Sequence, residues 1–267
     1  MNHLLRELAP ISDEAWEQID AEARRSLKHF LAARRLVDFN GPLGWEHSSV
    51  GLGRIEALQL PADGVEAAGR KVLPLVEFRA AFSLPTIELA AAERGASDLD
   101  LSAVVAASRS AALAEDGAIF HGYAPGAIPG IVPSSPHEAV AIGDDYTHYP
   151  AHVAKAVDLL RDAGVAGPYA IAMGARGFTG VIETTEHGGY PVFEHLRNIL
   201  GGDVIWAPAV DGAVIVSQRG GDFEITVGQD FSIGYSIADA DAVQLYIEES
   251  LAFRINTPEA AIHLAHG

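Results

Sequence analysis

The residues best placed to do chemistry lie in Asp144-Asp145-Tyr146-Thr147-His148-Tyr149-Pro150-Ala151-His152. His148 and His152 are four residues apart and would share one face of a helix, an arrangement that lets two imidazoles reach one metal ion. Pro150 argues against it, because proline favours the first turn of a helix and so leaves His148 ahead of the regular turns. The cluster reads as a solvated helix start, and neither a metal ligand set nor a catalytic residue is expected. Other chemistries lack their motifs. No Glu-x-x-His pair occurs, so the di-iron carboxylate pattern of helical bundles is missing. Gly174-Ala175-Arg176-Gly177-Phe178-Thr179-Gly180 has glycines at the wrong spacing for a dinucleotide fingerprint. There is no P-loop and no Gly-x-Ser-x-Gly elbow. Serine, histidine and aspartate are plentiful, but no motif recommends a triad. The chain has no cysteine, so disulfides and thiolate chemistry are unavailable, and no cofactor is expected.

The elements that would position these residues follow from periodicity. Ser12-Asp13-Glu14 is a helix start, with a cap and acids in the first turn. The helix should run to about Arg35, with Trp16, Ile19, Ala23, Leu27, Phe30, Leu31 and Arg34 near one face. Residues 55–60 and 70–82 read as strands around the turn Pro61-Ala62-Asp63-Gly64. Pro74 cannot donate to a ladder, so the second reads as an edge or an extended arm. A two-stranded arm is marginal in water alone and should pair with something, such as another subunit. A short helix over 85–94 and an Ala- and Ser-rich buried helix over 102–121 come next. The Gly-, Pro- and Ser-crowded stretch 122–136 is the best boundary. Helices opened by Pro150 and Pro191, a buried strand over 168–173 and a helical stretch through Ile182 follow, and Glu183-Thr184-Thr185-Glu186-His187-Gly188-Gly189-Tyr190 forms a polar loop. Strands over 204–207 and 213–217 flank a turn at Asp211-Gly212. The run 214–227 reads as a hairpin turning at Gly220-Gly221. In the last long strand Leu245, Ile247, Leu251, Phe253 and Ile255 share a face that only Glu249 interrupts.

Composition sets the class. The 49% hydrophobic content supports a sizeable core, and no apolar run is long enough to span a membrane. The opening residues lack the basic and apolar regions of a signal peptide, so a cytoplasmic location is expected. With 36 acidic and 18 basic residues the net charge is −18, which argues against nucleic acid as a partner. It also suits a large assembly that must stay soluble.

Arg219-Gly220-Gly221-Asp222-Phe223-Glu224-Ile225-Thr226-Val227-Gly228-Gln229-Asp230-Phe231-Ser232-Ile233-Gly234-Tyr235, with the strand after it, closely resembles the C-terminal part of the encapsulin shell proteins. The opening Leu4-Leu5-Arg6-Glu7-Leu8-Ala9-Pro10 resembles that family's N-terminus. So do Gly41-Pro42-Leu43-Gly44-Trp45-Glu46, Glu93-Arg94-Gly95, Ile119-Phe120-His121-Gly122 and Gly167-Pro168-Tyr169, in one colinear register. The resemblance is to family-one encapsulins. It implies an α+β chain with the HK97-type fold of tailed-phage major capsid proteins, self-assembled into a closed icosahedral shell of about sixty copies.

The resemblance also implies a division of the chain. A peripheral domain would take 1–47, 80–136 and 220–267, an extended loop 48–79, and an axial domain 137–219. Shells of this family enclose enzymes that carry a C-terminal targeting peptide, commonly a dye-decolourising peroxidase or a ferritin-like protein, giving an oxidative-stress or iron-storage role. The matching peptide groove would use Leu27, Leu31 and Ile233 for apolar side chains, with Arg34 and Asp38 anchoring polar groups. Ile233→Asp would then spare assembly and abolish loading. The ordinary alternative is core packing for the aliphatic residues and an Arg34–Asp38 ion pair. Glu183, Glu186, His187, Gly188, Gly189 and Tyr190 would surround the five-fold pore, with His187 coupling pore charge to acidity. Two rivals remain from other classes: a virus or prophage major capsid protein, and a soluble hydrolase or metalloenzyme.

Overall fold

A computed structural model describes residues 3–186 and 188–266. Its first long element is α1 (Asp13–Phe30). Ser12 caps it, with Oγ accepting the Ala15 N–H at 3.3 Å, and Asp13 and Glu14 lie against the positive end of the helix dipole. The expected extension to Arg35 does not form. Leu31 is extended, and a single 3-10 turn covers Ala33–Arg35. The cause is Asp116, whose carboxylate accepts the N–H groups of Ala32 and Ala33 at 2.9 and 3.0 Å. In a continuing helix those amides would have bonded to the carbonyls four residues back.

A short strand β1 (Asp38–Asn40) leads to a long ribbon, β2 (Ser49–Ala62) and β3 (Val65–Pro74), turning at Asp63-Gly64. The ribbon belongs to neither large sheet. Its apolar side chains face solvent: Ile55 is 70% exposed and Leu60 58%. The strand expected over 70–82 breaks after Pro74, and β4 (Val76–Pro85) starts afresh in a different sheet. Helix α2 (Thr86–Glu93) is followed by α3 (Ser102–His121), which has the bounds expected and buries Val104, Ala111, Ile119 and Phe120 along with Glu115 and Asp116.

The rest of the chain builds a second layer before returning to the first. The loop after α3 contains a single-turn helix α4 (Ile131–Ser134) and runs into β5 (Val140–Ile142). Then come α5 (Tyr149–Asp162), β6 (Tyr169–Met173), α6 (Ala175–Glu183), α7 (Val192–Leu200), β7 (Val204–Trp206) and β8 (Ala213–Ser217). The chain finishes with β9 (Phe223–Val227), β10 (Ser232–Ala238), β11 (Ala242–Ile255) and β12 (Ala261–His266).

These strands form two five-stranded sheets. One runs β1-β9-β11-β10 with β4 also paired to β11, and the other runs β5-β12-β8-β6-β7. Helices α1, α2 and α3 pack on the first, sharing a core of Trp16, Ile19, Leu84, Leu89, Val104 and Leu245. Helices α5 and α7 pack on the second, with Val153, Leu160 and Leu196 against Ile171 and Ile215. No helix among the described residues is long and apolar enough to cross a membrane.

Three pairings differ from the sequence expectation. β8 and β9 form no hairpin, because they lie in different sheets. Gly220 and Gly221 both adopt φ +83°, a region open to glycine without strain, and swing the chain from one sheet to the other. Asp38 fixes the crossing by accepting the Gly221 N–H at 2.6 Å, and Arg219 pairs with Asp222 at 2.8 Å. Likewise β7 and β8 are not neighbours, since β6 lies between them. The end of the chain does not stay with the first sheet. β12 inserts between β5 and β8 in the second, pairing Ile262 with Ile215 and Leu264 with both Ala213 and Val140.

Candidate functional site

A groove of about 790 Å³ runs between α1 and the β10–β11 side of the first sheet. Leu27 and Leu31, four residues apart at the end of α1, supply one apolar wall. Ile233 and Ile247, directly opposite in the β10–β11 register, supply the floor with Phe231 beside them. Ile233 is only 4% exposed, so it is both groove floor and sheet core. Leu27 and Leu31 are half-buried. Arg24, Lys28, Arg34 and Asp230 bring charge to the rim.

Beneath the rim is a buried ionic network centred on Arg34. Its Nη2 reaches Glu115 at 2.5 Å and Glu249 at 3.0 Å, and its Nη1 reaches Asp230 at 2.8 Å. Its Nε also donates to Glu115, and the guanidinium lies over Phe231 at 4.9 Å. Glu115 and Glu249 are fully buried. One cation thus faces three carboxylates, two of them without solvent, so the site favours holding a proton. Burial first, and then the neighbouring Glu115, push Glu249 well above the usual carboxylate range. Burial raises Asp116 to about 7, against the lowering pull of the Ala33 and Ala32 N–H groups. Burial alone would weaken the Arg34 cation, but Glu115, Glu249 and Asp230 outweigh it and raise its pKa.

Leu27, Leu31, Arg34 and Ile233 therefore meet at one groove, and Asp38 does not join them. Asp38 sits on β1 beside a separate cleft of about 120 Å³ with Arg35, Gln218 and Gly220. The ion pair considered for Arg34 and Asp38 is not formed, because Arg34 is taken by Glu115, Glu249 and Asp230. Sequence reasoning missed Glu115, Glu249, Asp230 and Ile247. The one available signal was Glu249, a charge breaking an otherwise apolar strand face.

The described residues of the polar loop, 183–186 and 188–190, fold back on one another. Glu183 closes α6. The Glu186 N–H donates to the Tyr190 carbonyl at 2.8 Å and the Gly189 N–H to the Glu186 carbonyl at 2.9 Å. Glu186 Oε1 lies 2.9 Å from His195 Nδ1 on α7, and Asn198 donates to the Tyr190 hydroxyl at 2.8 Å. Gly188, Gly189 and Tyr190 remain exposed, and His187 lies outside the described residues.

His148 and His152 do not share regular turns of a helix, since α5 begins at Tyr149. His148 Nδ1 lies 3.5 Å from Asp145, and His152 packs edge-on against Tyr149. Burial lowers the His152 pKa, with His148 and Lys155 adding to it. Among the described residues no group of three His, Asp or Glu side chains is placed to hold a metal ion.

Comparison with known proteins bears on the whole chain. Residues 1–252 match the family described as encapsulating protein for peroxidase. A type 1 encapsulin shell protein of Rhodospirillum rubrum is 51% identical over 99% of this chain and 96% of its own length. The crystal structure of a virus-like particle from Pyrococcus furiosus superposes with a TM-score of 0.69 at 18% identity, covering 92% of this chain and 98% of that one. The capsid protein of the myovirus XM1 gives 0.53 at 12% identity, over 86% and 90%. The two structures establish the fold, which is α+β and of the HK97 capsid type. The relative and the family match establish more: the family is a structural one, of shell subunits and not of enzymes. The chain belongs to the type 1 encapsulin shell proteins.

Proposed function

We propose that this chain assembles in the cytoplasm into the smallest icosahedral shell, about sixty copies closed by symmetry, around enzymes whose C-terminal peptide seats in the α1 groove. The observation that carries the reading is the groove itself. Leu27, Leu31 and Phe231 are partly open to solvent above a buried floor and beside a rim of fixed charge, which suits a short peptide with apolar anchors. The β2–β3 ribbon supports the shell half of the proposal, since its exposed Ile55, Leu58 and Leu60 need a neighbour to cover them. In this division 48–79 is the extended loop and most of 137–219 the axial domain, which also receives β12. The loop over 183–190 then surrounds the five-fold opening. Image reconstruction tests that placement, and finding the loop on any other axis would overturn it.

The cargo is a dye-decolourising peroxidase or a ferritin-like protein, giving the particle an oxidative-stress or iron-storage role. Shells purified from the native host and analysed for enclosed proteins test this. Wild-type particles should carry such an enzyme, and Leu27→Glu particles should form but arrive empty. Leu27 is the better probe than Ile233, because a carboxylate at position 233 would be buried against Ile247 and would damage the sheet. Loaded Leu27→Glu particles would rule out the groove as the capture site.

A further inference from the structure

The charges around the groove divide into those already matched and two that are not. Arg6 is held by Asp20 at 2.7 and 3.0 Å and lies over Trp16 at 3.9 Å. Arg34 is saturated by its three carboxylates. Arg35 is exposed and faces Asp203 at 3.9 Å. Arg24 and Lys28 also line the groove, both exposed on α1, and neither has an ion-pair partner among the described residues. They are four residues apart, so they sit on one face of the helix and repel each other mildly. Leu27 lies between them in sequence, which sets the cationic edge alongside the apolar wall. The two acids in the groove lining are already taken, Asp20 by Arg6 and Asp230 by Arg34.

We propose that the groove accepts a peptide whose apolar anchors are flanked by an acidic side chain, and that Arg24 and Lys28 recognise that carboxylate. The inference rests on the groove being a peptide site and adds the charge of its occupant. The net charge of −18 repels an acidic segment at long range. The two cations act only within a Debye length, about 10 Å at 0.1 M salt, so the selection is local.

A competition inside assembled shells tests it. Full-length protein is co-expressed with two fluorescent reporters of different colour. Each ends in a tag with leucines at alternate positions, flanked by glutamates in one reporter and glutamines in the other. Both tags finish in the same neutral extension, so the terminal carboxylate is common and only the side chains differ. Wild-type shells should enrich the glutamate reporter about two- to thirtyfold, the range for two exposed ion pairs. Shells of the double variant Arg24→Gln, Lys28→Gln should load both reporters equally and as well as the wild type loads the glutamine one. Both positions are exposed, so particle yield checks that assembly is intact. Equal loading by wild-type shells, or enrichment that persists in the double variant, would overturn the inference while leaving the groove as a peptide site. If neither reporter is loaded, the peptide site itself falls and the inference falls with it.

Discussion

Replacing Arg34 by methionine is the sharpest test of the network under the groove. The side chain keeps an apolar stem, but the only cation that faces Glu115, Glu249 and Asp230 among the described residues is gone. Glu115 and Glu249 have no solvent to turn to. Removing one partner of a buried ion pair costs about 3–5 kcal/mol, because a charge is left uncompensated in a poor solvent. Protonation of the orphaned carboxylates caps that cost, so the effect should be larger at pH 8 than at pH 5. With a urea slope of about 2–3 kcal/mol/M, the midpoint should fall by roughly 1–2 M near neutral pH. Arg34→Lys keeps the charge and loses the forked geometry, so it should fall between the two. The decisive arm is rescue. Adding Glu115→Gln and Glu249→Gln to Arg34→Met removes the buried charges with their counter-ion and should restore most of the loss. Urea unfolding followed by tryptophan fluorescence reads all four proteins. A midpoint unchanged in Arg34→Met, or a triple variant no better than the single, would refute the reasoning.

Asp116 offers a second test through pH. Its pKa is raised from 3.8 to about 7 in the folded state, so the protonated form is favoured there. Its stabilising contribution is complete below about pH 4 and is lost as pH rises through about 7, an effect on the order of 4 kcal/mol at 1.36 kcal/mol per unit. Asp116→Asn should shrink the difference between the urea midpoints at pH 5 and pH 8, and an undiminished difference would contradict the assignment. At pH 8, where Asp116 is ionised, the change should also loosen the turn at Ala32 and Ala33, since an amide offers one acceptor where the carboxylate offers two. On the ribbon, the triple change Ile55→Ser, Leu58→Ser and Leu60→Ser removes side chains that touch little within the subunit. Melting of the isolated subunit should move by less than about 1 kcal/mol, while particle yield collapses. Normal particle yield would mean that the ribbon does not join neighbours.

Much of the architecture was legible in local patterns. Ser12, Pro85, Gly164 and Gly201 mark helix ends that the structure places within a residue or two, because capping and chain reversal are local events. Helix α3 was readable from its small side chains alone. What the patterns could not carry was pairing between distant strands. A clean alternation over 213–217 and 223–227 identifies two strands and a Gly-Gly turn, but nothing local says that the strands part for different sheets. The same limit hid β12, a short run whose partners lie about 50 and 120 residues back. The groove was half legible. Helical spacing puts Leu27 and Leu31 on the apolar face of α1 and only the resemblance implied their place in a groove, whereas the hold on Arg34 is assembled from α3, β11 and the turn before β10. Asp38 was misplaced for a similar reason. Its role is to fix the crossing at Gly221, a contact 183 residues away in sequence.

This subunit should close on itself into a shell, and native mass measurement with negative-stain imaging of the protein expressed alone reads that outcome. Uniform hollow spheres with a mass of about sixty subunits are expected. A well-folded protein that stays monomeric or forms only small oligomers across varied salt and pH would contradict it.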